Sequence, residues 1–232
     1  MITPRQTILS FPALRLPAHE GHRLRGYFGT AFREHSPLLH NHLEDGSLRN
    51  GYPLTQYKMI ERVPTILGYN EAADVLINLF ADIHELRIAD QWLDAREKEL
   101  THDRIAATFL TDRLVNYRLL SPYRGMSQEQ YQSWKTLTTD AERHAFAQRS
   151  LVGHLLMVFK GLGVWLADDQ RIVAFPFFQT TLVKMKGQKM TAFTGHFVTN
   201  VELPDLIGIG KGTSRGFGTI KKETGSLGLP YR

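Results

Sequence analysis

The sequence predicts an α+β chain of two ferredoxin-like (RRM-like) units, the second more irregular than the first and carrying a glycine-rich loop near its end. Three observations lead there. Over the first hundred residues the apolar pattern reads strand, helix, strand, strand, helix, strand, the order of two split strand–helix–strand halves on one sheet and the plan of many RNA-binding sheets. A second series of strand and helix patterns begins near Leu100. Finally, "GIGKGTSRGFGTI", Gly208 to Ile220, sets five glycines in eleven positions among ordered Ile and Phe residues, a composition that lets backbone approach a neighbour closely. The expected units are residues 1–100 and 101–232.

The elements follow in order. "QTILSF" alternates as a first strand. Leu24, Tyr27, Phe28, Ala31 and Phe32 form one helical stripe that ends before Ser36-Pro37. "LLHNHLEDGSLRNG" is polar, with Gly46, Asn50 and Gly51, and reads as a loop. "YPLTQYKMIERVPTILGY" holds one or two strands, with Tyr52, Leu54, Gln56, Lys58 and Ile60 on one side of the first. A helix carries Ala72, Val75, Leu76, Leu79, Phe80 and Ile83, with Asn70 as its expected cap. A strand or hairpin is expected in "HELRIADQWLDAREKEL". In the second unit, "RLVNYRLLSP" is a strand and "SQEQYQSWKTL" a short helix. "DAERHAFAQRSLVGHLLMVFKGL" is a long helix capped by Asp140, and "IVAFPFF…TNVEL" a hairpin turning at Gly187-Gln188. "FGTIKKE" supplies a last strand.

Composition narrows the function classes. Hydrophobic residues make up 42% of the chain, enough for a core. No apolar run approaches the roughly 18 residues that would span a bilayer, so no membrane partner is expected. The N-terminus lacks the pattern of a signal peptide, and a cytoplasmic location is the default. The absence of cysteine excludes disulfides and thiolate metal sites. The net charge is +5. From Arg171 onward, nine Lys or Arg oppose Glu202, Asp205 and Glu223, an excess greater than that of the whole chain. A concentrated basic region suits a polyanion partner, an ordinary solvated basic face being the plain alternative.

The glycine segment fits neither common phosphate loop. Gly212 follows Lys211 where a P-loop needs Ser or Thr, and Asp205-Leu206 stand where its upstream glycine belongs. Counting a dinucleotide fingerprint from Gly208 or Gly210 puts Thr213 or Arg215 at the third glycine, and no long helix is expected afterwards. What remains is a loop with Gly210, Lys211, Gly212, Thr213, Ser214, Arg215 and Gly216, whose exposed N–H groups and two cations can grip a phosphodiester backbone. A tight structural turn is the alternative. Lys184, Lys186 and Lys189 near the hairpin turn add further basic candidates.

With these residues in view, the glycine segment resembles the C-terminal loop of the repeat-associated (RAMP) proteins of CRISPR systems. More particularly, it is similar to that of their repeat-RNA processing endoribonuclease. "RLRGYFGTAF", then "LLHNHLEDG" and "YPLTQYKMI", resemble the subfamily with paired histidines ahead of a Tyr-Pro strand. The resemblance spans both ends of the chain and thins between about Glu85 and Asp140. It implies tandem ferredoxin-like domains and cleavage of the CRISPR precursor transcript within each repeat, without a metal ion or other cofactor. The implied partners are CRISPR repeat RNA, precursor and mature, and other CRISPR effector subunits. Monomer and dimer stay open.

The chemistry asks little of the protein. An RNA 2′-hydroxyl lies beside its own 3′-phosphodiester, so attack needs alignment, a base for the 2′ proton and an acid for the departing 5′-oxygen. It leaves a 2′,3′-cyclic phosphate and a 5′-hydroxyl. Histidine, with an ordinary pKa of about 6.5, suits both tasks. On an extended segment His40 and His42 point the same way. One of them is the expected base and the other the acid or a phosphate ligand, in either order. Tyr52 is a candidate to orient the phosphate or a histidine. Family members often use a lysine there; Lys211, Lys184 and Lys58 are the candidates. Two histidines at this spacing also make two legs of a zinc site, with His35, Glu44 or Asp45 as a third, or a bland surface pair. "HNH" here is not the metal-dependent nuclease of that name. His154 reads as packed, His196 faces RNA or solvent, and Phe175, Phe177 and Phe178 read as core, with base stacking the alternative. A non-catalytic RNA-binding subunit of a CRISPR ribonucleoprotein is the competing function.

Overall fold

A computed structural model describes residues 3–39, 51–185 and 187–223. The first unit comprises β1 (Arg5–Ser10), α1 (Gly21–Ala31), β2 (Thr55–Ile60), β3 (Val63–Tyr69), α2 (Glu71–Leu79), a hairpin of β4 (Glu85–Ile88) and β5 (Gln91–Asp94), and β6 (Glu99–Arg104). Its antiparallel sheet has the order β2-β3-β1-β6. This is the ferredoxin-like arrangement, with the hairpin inserted before the fourth strand. Because β6 pairs with β1 along its length, the first sheet runs past Leu100 to Arg104.

After the short β7 (Thr108–Phe109) come β8 (Val115–Leu119), α3 (Gln128–Thr136), α4 (Asp140–Gly161), β9 (Ala174–Met185), β10 (Gln188–Thr199), β11 (Val201–Glu202) and β12 (Ile220–Lys222). The second sheet, β12-β8-β10-β9, repeats the order of the first. Two helices join its first strand to its second. Where a ferredoxin-like unit would place its second helix, the glycine segment stands with only a 3-10 turn at Thr213–Arg215.

One face of the first sheet packs Leu9, Tyr57 and Ile66 against Leu24, Phe28 and Phe32 of the α1 region and Leu76 of α2. The other face presents Leu67 and Tyr69, with Tyr52 and Leu54 beside them, to Leu155, Val158 and Phe159 of α4 and to Tyr117, Phe197 and Ile220 of the second sheet. One of the two buried clusters therefore spans both units, and with the other on the opposite face it explains why β3 is buried from Pro64 through Tyr69: a strand covered on both faces carries few polar residues.

Two helix caps differ from expectation. Asn70 occupies the cap position of α2 but has a left-handed φ of 51° and makes no side-chain cap. Its Oδ1 accepts from the Arg5 N–H at 3.2 Å, and its Nδ2 donates to the Leu162 carbonyl at 3.1 Å. It thus stitches β1 to the end of α4, a tertiary demand that overrides local capping. The cap of α4 is Thr139, not Asp140. Thr139 is extended and exchanges hydrogen bonds with Glu142 in a capping box. Ala31, expected on the α1 stripe, is exposed.

His154 is packed as expected, and it shares a 2.7 Å hydrogen bond with the buried Tyr123 hydroxyl. Burial, reinforced by the nearby Lys211 charge, lowers its pKa to about 4. The unfolded chain therefore takes up this proton first on acidification. Stability should be full above pH 6.5 and fall between there and pH 4, by about 3 kcal/mol from this group. Urea melts across that window should show the loss, and His154→Gln should flatten it. An identical slope in the variant would remove the assignment.

Candidate nucleic-acid interface and active site

The glycine segment folds back on itself. Ile209 N–H donates to the Gly218 carbonyl at 2.9 Å and Ile220 N–H to the Ile207 carbonyl at 3.0 Å. Gly210 and Gly218 have left-handed φ values of 82° and 63°. A Cβ on Gly210 would run into the Tyr123 ring and one on Gly218 into the Ile209 carbonyl. No L side chain fits either place without strain.

Much of this loop is spent on internal contacts. The N–H groups of Lys211, Arg215 and Gly216 donate to the carbonyls of Arg124, Gly212 and Thr213. These three are not exposed donors, contrary to the simple picture of a loop offering its N–H groups to phosphate. At Lys211 and Arg215 the side chains are left to meet an anion. Lys211, Ser214 and Arg215 are partly exposed.

The loop covers the open edge of the first sheet. Gln56 of β2 is fully buried and closes a three-membered hydrogen-bond ring. The Gly208 N–H donates to its Oε1 at 2.9 Å, its Nε2 donates to the Tyr52 hydroxyl at 2.7 Å, and Tyr52 donates to the Gly208 carbonyl at 2.6 Å. Burial raises the Tyr52 pKa well above the ordinary phenol value, so the group stays a neutral donor. Two residues on, Lys58 is 1% exposed and donates to Thr219 Oγ1 at 3.0 Å. Desolvation holds its pKa well below the usual lysine value.

His40, His42 and Lys186 lie outside the described residues. Both described flanks of the histidine segment are fixed. On the near side, the buried Tyr57 of β2 donates from its hydroxyl to the Leu39 carbonyl at 2.8 Å. On the far side, Tyr52 is held by Gln56 and Gly208, with its ring against Gly161 at the end of α4. Leu39 is thus tied to β2 through Tyr57, and Tyr52 to the glycine loop through Gly208.

Cations gather around this junction, including two that sequence reasoning did not single out. Arg25, on α1, and Arg124, before α3, both have pKa values lowered first by burial and then by the charge of Arg215. The Arg124 guanidinium lies 5.4 Å over the Phe217 ring and reaches Met190 Sδ at 3.4 Å. Arg124 thereby connects the loop to β10, near the hairpin end where exposed Lys184 and Lys189 face each other across the strands. Arg25 sits in a helix and Arg124 in the irregular segment before α3, where the residue pattern points only to structure, so no local signal marked them. Among the described residues, no group of three or more His, Asp or Glu could hold a metal ion, and no helix is long and apolar enough to cross a membrane.

The comparisons with known proteins agree with this architecture. A solved structure of Cas6b is 27% identical, with a TM-score of 0.88, covering 95% of this chain and 99% of that one. A solved CRISPR RNA processing endoribonuclease Cas6b is 24% identical, with a TM-score of 0.72, covering 95% and 99%. An uncharacterized protein of Methanocaldococcus jannaschii is 27% identical over 111 residues, 48% of this chain and 74% of that one. The family model of the Cas6b N-terminal domain matches residues 6–106, and that of the Cas6b C-terminal domain matches residues 109–223. Both halves, in the order the two sheets display, are those of one family: the chain belongs to the Cas6b family.

Proposed function

We propose that this protein cleaves CRISPR precursor RNA within its repeats by metal-independent attack of a 2′-hydroxyl. The observation that supports the reading is that the residues on either side of the histidine segment are tied down, Leu39 to Tyr57 of β2 and Tyr52 to Gly208 of the glycine loop, with the arginines gathered around that loop. One of His40 and His42 removes the 2′ proton as the 2′-oxygen attacks phosphorus. The bond to the 5′-oxygen breaks, and that oxygen takes a proton from the other histidine or from water. The products are a 2′,3′-cyclic phosphate and a 5′-hydroxyl. Arg25, Arg124, Lys211 and Arg215 hold the phosphate backbone, Ser214 and the glycine backbone shape the seat, and Lys184, Lys186 and Lys189 extend the cationic track. Tyr52, with its hydroxyl committed to Gly208, is a positioning residue. Of the three candidate lysines, Lys58 is enclosed against Thr219, while Lys211 is partly exposed within the loop. Lys184 is exposed but lies on the β9–β10 hairpin, so Lys211, within the loop itself, is the lysine proposed to meet the phosphate.

Replacing both His40 and His42 by Ala should abolish cleavage of repeat RNA, each proton-transfer role being worth about 100- to 10,000-fold. EDTA should leave the wild-type rate unchanged, and a single 2′-deoxy sugar at the cut site should block it. Loss of activity on chelation would instead favour a zinc site on the histidine pair. Binding without any cyclic-phosphate product would leave a non-catalytic RNA-binding subunit.

Lys211→Ala and Arg215→Ala should weaken RNA binding and reduce the slope of log affinity against log salt by roughly 0.7 to 0.9 for each phosphate no longer neutralised. An unchanged slope would place the RNA elsewhere. Tyr52→Phe removes the buried bonds to the Gly208 carbonyl and from the Gln56 Nε2, at a cost of about 1–3 kcal/mol in stability. Below its melting range it should lower the cleavage rate at saturating RNA more than it raises the dissociation constant. An unaltered rate would deny Tyr52 its positioning role.

A further inference from the structure

The second sheet has an outward face that the proposed cleavage site does not use. Four residues in register cross it in one row. Phe177 of β9 pairs with His196 of β10, His196 with Arg118 of β8, and Arg118 with Lys221 of β12. Their neighbours Tyr117, Phe197 and Ile220 point the other way, into the core. The Phe177 and His196 rings are stacked, with centroids 4.8 Å apart and planes 14° from parallel. Phe177 is 49% exposed and Phe175, two residues back on the same face, 40%. The expectation that this Phe run is core therefore holds only for Phe178, which packs against the core through Phe193.

An exposed, flat aromatic pair is costly to leave in water unless something covers it. The charge beside it narrows the choice. Arg118 and Lys221 continue the row, and Glu223 offsets part of the Arg118 charge through a 3.4 Å ion pair. A row that runs from stacked aromatic rings to cations matches a single strand of nucleic acid: bases have faces to stack, and each base is tied to a phosphate. Four-stranded RNA-binding sheets use this same face to stack two or three bases. The row also begins where the glycine loop ends, since β12 follows directly on Gly216 and Gly218. Strands about 4.8 Å apart carry it from there to the far edge at β9.

We propose that the outward face of the second sheet is a stacking platform for unpaired ribonucleotides. Phe177 and His196 receive bases, and Arg118 and Lys221 receive the linking phosphates. It rests on the RNA-processing reading only for the identity of the strand, which would be the single-stranded part of the transcript leaving the cleavage site.

The test uses the full chain and two probes: a short single-stranded RNA oligonucleotide, and a repeat RNA blocked by a 2′-deoxy sugar and extended by a single-stranded flank. Phe177→Ala should weaken oligonucleotide binding roughly 5- to 150-fold, the range expected when one base stack is removed. Phe177→Tyr should restore it. Trp165→Ala, which removes an aromatic side chain 76% exposed but off the sheet, should change nothing. Removing the flank from the repeat RNA should erase the difference between wild type and Phe177→Ala. A photoreactive uridine in the oligonucleotide should crosslink to the wild-type protein at the peptides bearing Phe177 or His196. Unchanged affinity in Phe177→Ala, or crosslinks confined to other peptides, would overturn the platform and leave the face to a protein partner. The oligonucleotide needs no cleavage to report. With an unmodified repeat RNA as a further substrate, failure of the nuclease reading alone would show as no cleavage while oligonucleotide binding still depends on Phe177. Failure of the platform alone would show as normal cutting with binding indifferent to it.

Discussion

The side chain of Gln56 holds the molecule's two ends together. Its amide is one member of a ring with the Tyr52 hydroxyl and the Gly208 backbone, 152 residues away in sequence. The ring is buried, so no water replaces a missing partner, and each bond is worth more for that. It does two things at once. It ties the glycine segment to β2, and it fixes the chain at Tyr52. Lys58 does similar work one step along β2 by binding Thr219.

The ring also explains the glycines. Loop and strand lie so close that a side chain at Gly208 would meet both Gln56 and Thr213. Around this tight seam stand arginines whose charges oppose one another: Arg215 lowers the pKa of Arg25 and of Arg124. Gathering like charges in a partly buried setting is unfavourable in the free protein. The arrangement makes sense for a surface that meets a polyanion, where the same repulsion becomes attraction. Lys211, close enough to lower the pKa of His154, carries that positive field toward the middle of α4.

How much of this was legible in the sequence differs by element. The strand and helix order of the first unit was readable because its apolar periods are clean, as in "QTILSF" and in the α2 stripe. The glycine segment was readable as a close-approach loop, and the resemblance of its residues and of the histidine segment pointed to the correct family. Asn70 and Asp140 were misjudged as caps because capping preference is local, and in Asn70 a hydrogen bond to Leu162, 92 residues on, prevailed. Phe175 and Phe177 read as core because hydrophobic alternation cannot tell which face of a sheet remains uncovered. Arg25 and Arg124 carried no signal, since a lone arginine in a helix or a connecting segment is ordinary.

By itself, the sequence determined the class of fold and the family, and it supplied the histidine pair on which the proposed chemistry rests. These depend on periodicity, residue type and short motifs, all of which are local. Only the tertiary structure decided that β2 lies under the glycine loop, that Tyr52 serves the backbone of Gly208, and that Phe177, His196, Arg118 and Lys221 fall in one row. Each of those depends on which distant strands pair and in what register. That choice is made by burial summed over the whole core.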